Sequence, residues 1–114
     1  MTMETLNDYF LPIGNVDLGG AADTSDIVTC PEGGRVIGVA FNTTEAIDVA
    51  GTCDVLVDGA DSGVDLDFAV TAVDTGGVAR ADADLFIADN SAVQLLSNDE
   101  PATGIVDCTL IIRR

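Results

Sequence analysis

The segment that most constrains the fold is 104–114, in which core-type residues recur with a period of two. Side chains that alternate in this way point to opposite faces of a β-strand. The preceding segment, SNDEPATG, is rich in the residues that favour turns. We therefore predict a terminal strand that pairs antiparallel with residues 92–96 and packs one face on a core. The residues of that face are Val106, Cys108, Leu110 and Ile112.

Similar alternating segments recur from residue 25 onwards, each bounded by Gly, Asp, Asn or Pro. Many short strands separated by turns predict an all-β, jelly-roll-like antiparallel β-sandwich formed by residues 25–114. No segment keeps a helical period over three turns, although a short helix over 79–86 stays open. The predicted strands span residues 26–30, 35–42, 46–50, 53–58, 64–73, 85–88, 92–96 and 104–112, with core-facing rows Ile37, Val39 and Phe41, and Val64, Leu66, Phe68 and Val70.

Residues 1–24 differ from the rest of the chain and predict an extended N-terminal arm. The segment has two short apolar patches, and the Pro12 ring disfavours regular strand pairing. Exposed apolar patches are costly, so the arm either folds back along its own domain or docks on a neighbouring chain. We predict that the anchors on a neighbouring subunit or shell are Tyr9, Phe10, Leu11 and Ile13.

The net charge of the chain restricts the kinds of molecule that it can bind. Sixteen Asp and four Glu face only four cations, all arginine, which gives a net charge of −16. Nucleic acid is excluded as a partner because phosphate contacts need cationic side chains, and anionic membranes are disfavoured for the same reason. This composition also predicts a protein that works at high ionic strength, where salt screens its self-repulsion.

The three cysteines, Cys30, Cys53 and Cys108, lack metal-binding spacing, and the chain has no histidine. Zinc is therefore not expected, and buried free thiols are favoured over a disulfide. No segment has the length and apolar character of a membrane span. The N-terminus lacks the basic start of a secretion signal, so we expect a soluble protein, and Asn42 is expected to be a strand-end residue rather than a glycosylation site.

Asp74, Thr75 and Gly76 follow an apolar segment and resemble the active-site loop of aspartic proteases, in which two carboxylates share a proton. The 40 residues that follow contain neither a flap hairpin nor the paired apolar strand of that site. An ordinary turn is therefore favoured. A serine or cysteine nucleophile would have no histidine or lysine to activate it, and no cofactor-binding loop is found. We therefore predict a protein that is not an enzyme.

Asp58, Asp61 and Asp65 are weak candidates for calcium ligands, because they gather carboxylates around a Gly-rich segment. Their spacing does not match a calcium-binding loop, and a closing glutamate is missing. A solvated hairpin turn is the favoured interpretation, and no metal is expected.

The strand layout resembles the jelly-roll capsid decoration (cement) proteins and head-fibre base domains of tailed bacteriophages. The resemblance rests on the Pro/Gly turn CPEGG before the strand RVIGV, on residues 48–57, and on the closing segments AVQLL and 104–113. It implies a homotrimeric structural protein on the capsid outer surface of the virion, made in the host cytoplasm. Its partners would be the major capsid protein and further copies of itself, and it would catalyse no reaction.

Two other classes of function stay open at this point. The first is a β-sandwich module that binds a glycan or a protein in adhesion. The second is an aspartic-type hydrolase, which the turn-like setting of Asp74 disfavours. With five aromatic residues and no tryptophan, the chain offers little stacking surface for sugars, so capsid decoration is the leading expectation.

Overall fold

A computed structural model describes residues 8–19 and 23–114 of the chain. Every regular element in this part is a β-strand, because each period-two segment buries one row of side chains and Gly, Asp and Pro interrupt the segments. The strands are β1 (Asp8–Asp17), β2 (Val28–Cys30), β3 (Gly34–Glu45), β4 (Gly51–Val57), β5 (Ala60–Phe68), β6 (Gly76–Arg80), β7 (Phe86–Ile87), β8 (Ser91–Ser97) and β9 (Ile105–Arg113).

The strands form two antiparallel sheets. The larger sheet has the order β1-β9-β3-β6, with β7 also paired to β3, and the smaller sheet has the order β2-β8-β4-β5. The pairs are nested along the chain: β4 with β5, β3 with β6, β2 with β8 and β1 with β9. Nested pairs distributed over two sheets in this way make a jelly roll. The predicted all-β, jelly-roll-like sandwich is therefore confirmed.

The core lies between the two sheets and contains the alternating rows predicted for most strands. Val106, Cys108, Leu110 and Ile112 are all at most 1% exposed. The rings of Phe41 and Phe68, from opposite sheets, pack with their centroids 5.1 Å apart, a favourable tilted aromatic contact. All three cysteines are buried and free, as predicted, and burial raises the pKa of Cys108 to about 12. They therefore act as small apolar side chains.

The extended N-terminal segment folds back along its own domain, which is one of the two predicted alternatives. Asp8–Asp17 forms β1 and pairs with β9 along its whole length. Its alternation was hidden in the sequence by a bulge between Pro12 and Gly14, which shifts the register. Residues 8–17 of the predicted arm are therefore an integral strand of the sandwich. Residues 1–7 and 20–22 lie outside the described part.

Several local predictions were wrong, each for a topological reason. The terminal strand pairs with β1 and β3 rather than with residues 92–96, because 98–104 carries the chain from one sheet to the other. Residues 79–86 contain the end of β6 and the start of β7 instead of a helix, and only an isolated bridge forms within 46–50. Val70, predicted to face the core, is exposed because β5 ends at Phe68. Ile37, also predicted to face the core, does not, because a bulge in β3 places Val36 in that position.

Within the described part of the chain, the strands at the edges of the sandwich make a few further backbone contacts. At one side the amide of Asp26 donates to the carbonyl of Ile13. At the other side Leu66 of β5 bridges to Ala81, just after β6. Backbone groups paired in this way are not free to pair with another strand. No helix capable of crossing a membrane occurs in the same residues.

Candidate protein-interaction face

Three of the four arginines lie on the outward surface of the five-stranded sheet. Arg35 of β3 and Arg113 of β9 are register partners, and Arg80 of β6 faces Gly38 in the next row. Arg114 follows directly at the same end. A chain with 20 carboxylates thus places its few cations together.

An apolar strip continues from these arginines across the sheet. Phe10 is opposite Ile111 in the register of β1 and β9, and Pro12, Thr109, Ala40 and Val78 form the next cross-strand row. Phe10 is 59% exposed and Val78 is 50% exposed. We call a selected set of the outward side chains of this sheet the arginine face; Asp8, Phe86 and Asp107 share the same side of the sheet. The arginine face consists of Phe10, Pro12, Arg35, Ile37, Ala40, Val78, Arg80, Thr109, Ile111 and Arg113.

The arginines differ in how their charge is neutralised. Arg113 donates two hydrogen bonds, of 2.9 and 3.1 Å, to the carboxylate of Asp8, and these bonds lower the pKa of Asp8. Arg35 lies 3.6 Å from the exposed carboxylate of Asp84, and Arg114 lies 2.7 Å from Glu32. Arg80 makes no ion pair with any residue in 8–19 or 23–114.

A cleft of about 270 Å³ lies beside Arg80, where two segments meet along β3. β6 pairs with Gly38–Asn42 of β3, and β7 pairs with Gly34 and Arg35. The connection between β6 and β7 is held to the bulge of β3 by the amide of Ala81, which donates to the carbonyl of Ile37. The lining residues include both Arg35 and Arg80 together with Ile37, Ala81 and Ala83.

The outward surface of the four-stranded sheet has the opposite charge, and we call it the acidic face, formed by Asp54, Asp65 and Asp67. Asp54 of β4 is opposite Asp65 of β5. A hydrogen bond between these two carboxyl groups is the main cause that raises the pKa of Asp65 to about 6, and partial burial and the charges of Asp54, Asp82 and Asp61 add to it. The two sheets therefore present surfaces of different chemistry.

The four predicted arm anchors do not act as one group. Ile13 is fully buried in the core, and the partly buried side chains of Tyr9 and Leu11 pack against this core. The hydroxyl of Tyr9 donates to the backbone carbonyl of Glu32 in the same chain. Phe10 alone points outward, because it occupies the opposite phase of β1, and it contributes to the arginine face.

Two of the three residues considered as weak metal ligands, Asp58 and Asp61, accept hydrogen bonds from backbone amides. The Asp58 carboxylate accepts the Ala92 amide at 2.9 Å, and the Asp61 carboxylate accepts the Gly63 amide at 2.9 Å. Asp65 pairs with Asp54 instead of joining them. No group of three side chains that could hold a metal ion occurs among residues 8–19 and 23–114.

Asp74 lies in the turn that leads into β6, with the left-handed φ of 60° that Asp tolerates. Its amide donates to the carbonyl of Thr43 at 2.7 Å, and the Thr43 amide donates back to Thr75 at 3.0 Å. These bonds close a connection between β3 and β6, so the turn interpretation of this segment is confirmed.

Sequence reasoning missed most of the arginine face. The sequence did mark Ile111, because an apolar residue between Leu110 and Ile112 makes both faces of β9 apolar at this point. Val78 and Arg80 belong to β6, a strand with two glycines that carried no clear pattern.

Comparisons with known proteins support the fold and leave the family open. No family model matches the chain, and no curated protein matches it. A cycloisomaltooligosaccharide glucanotransferase of Paenibacillus sp., solved with cycloisomaltoheptaose, is similar over 93% of this chain with a TM-score of 0.63 and 13% identity. The GH26-CBM35 β-(1,4)-mannanase of Podospora anserina is similar over 98% of this chain with a TM-score of 0.54 and 12% identity.

The chain spans only 18% and 28% of the lengths of these two proteins. At such low identity the similarity describes the fold alone. The comparisons thus show a β-sandwich fold that is similar to part of each of these two longer proteins.

Proposed function

We propose that this chain is a non-catalytic structural protein that binds the surface of a larger protein assembly through its arginine face. The arginine face itself carries the proposal. It combines an exposed apolar strip with nearly all the cations of a strongly acidic chain. Protein interfaces typically have an apolar centre and are enriched in arginine and aromatic side chains.

The position of the arginines supports this choice of surface. If their role were only to reduce repulsion within the chain, they would be expected among the carboxylates of the acidic face. Three of them pair with carboxylates outside the acidic face, and Arg35, Arg80 and Arg113 share one sheet surface with the exposed side chains of Phe10 and Val78. A partner with an apolar centre and carboxylates at its rim would cover both features together.

We further propose that the assembly is a tailed-bacteriophage capsid and that the chain decorates its outer surface as a homotrimer bound to the major capsid protein. This identification rests on the resemblance in strand layout to capsid decoration proteins. With the arginine face against the shell, the acidic face would point into the solvent. Like-charged outer surfaces would then keep decorated particles apart.

Co-sedimentation with shells assembled from the major capsid protein tests this function. Val78→Asp puts a charge in the apolar strip and should reduce shell binding at least tenfold. Val70→Asp is the matched control, because Val70 is 63% exposed but lies outside the arginine face. Light scattering should give the mass of a trimer. A wild-type protein that stays in the supernatant at saturating shell concentrations would refute the proposal.

The structural neighbours favour a glycan-binding module as the second candidate. Both neighbours act on or were solved with carbohydrate, and Phe86 is 72% exposed beside Arg35, where it would offer a stacking surface. Affinity electrophoresis in neutral glucan and mannan gels tests this candidate. Retardation of the wild type that is lost in Phe86→Ala would establish it.

A further inference from the structure

The cleft between Arg35 and Arg80 is lined by these two arginines and by Asp82 and Asp84, and it contains one cation, Arg80, that forms no ion pair within the described part of the chain. Arg80 has no carboxylate partner among residues 8–19 and 23–114, and Arg35 has only the exposed Asp84 at 3.6 Å. The other acid at the cleft, Asp82, accepts the amide of Asp65 at 3.1 Å and forms no ion pair with Arg80. The guanidinium of Arg80 is therefore available to an external anion.

The remaining walls of the cleft set the size and shape of that anion. Ile37, Ala81 and Ala83 are apolar and short. Gly38 faces Arg80 across the ladder, and a side chain at Gly38 would collide with the backbone of Ala79 and Arg80. An open site of about 270 Å³ that has these apolar residues among charged ones has room for a carboxylate on a short aliphatic stem, and guanidinium binds carboxylate in a bidentate geometry.

The net charge decides between the possible sources of such a carboxylate. At −16 the chain repels polyanions such as acidic polysaccharides, and repulsion from a uniformly charged ligand grows with its length. A single carboxylate on an otherwise neutral or basic protein surface avoids most of this repulsion. The adjoining apolar strip also requires a partner with apolar side chains next to that carboxylate.

We infer that the Arg35–Arg80 cleft is a carboxylate-binding pocket that receives a glutamate or aspartate side chain of the protein bound to the arginine face. This inference rests on the proposed function, because it names the partner chemistry of the same surface. Arg80 is the main ligand, and Arg35 exchanges its weak contact with Asp84 for the incoming carboxylate. The surrounding apolar contacts with Phe10 and Val78 then position the partner.

N-acetyl-glutamate amide is a suitable probe, with N-acetyl-glutamine amide as its neutral isostere. In NMR titrations of the full chain, the glutamate probe should shift the Arg80 Nε–H resonance saturably in the millimolar range, and the glutamine probe should not. Arg80→Gln should abolish the shift of neighbouring amides. Arg114→Gln is the control, because Arg114 lies at the same end but does not line the cleft.

Glucuronate serves as a third probe that separates the two sources of carboxylate. Tenfold tighter binding of glucuronate than of the glutamate probe would overturn the protein source and assign the pocket to an acidic sugar. Equal shifts with the glutamate and glutamine probes would overturn the pocket itself.

Co-sedimentation with shells then separates this inference from the proposed function. If shells bind the wild type and Arg80→Glu equally, the pocket inference fails and the decoration function stands. If the glutamate probe binds but shells do not, the decoration function fails and the pocket stands. If both hold, Arg80→Glu should weaken shell binding at least tenfold, and Arg80→Lys should weaken it less.

Discussion

Replacing Asp65 with Asn should stabilise the protein at neutral pH. Asp65 lies opposite Asp54 on the acidic face, and Asp54 already accepts a hydrogen bond of 3.0 Å from Asn98. The hydrogen bond between the two carboxyl groups needs a proton, which raises the pKa of Asp65 to about 6. An unfolded chain has no such pair, so its aspartates ionise near their usual pKa of about 3.9.

The direction of the pH effect follows from these two values. Because the folded pKa is the higher one, the folded state binds the proton more tightly, and stability falls as pH rises from about 4 to about 6. The loss is complete by about pH 7. A shift of about two pKa units corresponds to roughly 3 kcal/mol, but the pair is partly hydrated, which reduces the expected effect to about 1 kcal/mol. For a domain of this size that is about 3–5 °C in Tm.

Thermal melts followed by circular dichroism at pH 7.5 and pH 4 measure this effect. Asp67→Asn is the matched control, because Asp67 lies two residues along the same face of β5 and its replacement removes the same charge. At pH 7.5 Asp65→Asn should melt above Asp67→Asn by about 3–5 °C, and at pH 4 this difference should disappear. Equal melting temperatures of the two variants at pH 7.5 would refute the shared-proton interpretation.

Three further predictions concern the core, the bulge in β3 and the net charge. Leu110→Ala should lower the free energy of unfolding by about 2–5 kcal/mol in urea titrations, because Leu110 is fully buried in the central strand β9. Gly38→Ala should lower Tm and weaken β3–β6 pairing in amide exchange, because the new Cβ would collide with the Ala79 carbonyl. Tm should rise as sodium chloride increases from about 0.01 to 1 M, where the Debye length falls from about 30 to 3 Å; a flat or falling Tm would contradict the self-repulsion argument.

The fold was predictable wherever strand alternation was uninterrupted. Val106, Cys108, Leu110 and Ile112 could be assigned to the core because nothing disturbs the period of β9. β1 could not be recognised in the same way, since the bulge after Pro12 reverses the phase of its second half. Strand partners were not predictable either, because a turn-rich segment such as 98–104 joins two strands of one sheet or two different sheets equally well.

The candidate site was less predictable than the core for a related physical reason. Core residues can be recognised from the alternation within a single strand. The arginine face, in contrast, can be recognised only when the pairing of four strands is known. Arg35, Arg80 and Arg113 are far apart in sequence, and nothing local indicates that the register of β3, β6 and β9 brings them to one end of a sheet. Phe10 was predicted as an anchor together with Leu11 and Ile13, because the phase of these residues in β1 was unknown.

The outward surfaces of the two sheets differ in charge, so the charge distribution of the molecule is asymmetric. A protein that only needed solubility at high salt would have carboxylates on both faces, since an even distribution minimises repulsion at a given net charge. Instead, the outward rows nearest the arginine end carry Arg35, Arg80 and Arg113, and the acids beside them are Asp8 and Asp84, each paired with an arginine, and Asp82. Binding through that face removes the exposed apolar strip from water and leaves the acidic face in solvent. The same charge separation therefore favours one orientation of the bound protein and disfavours its reverse.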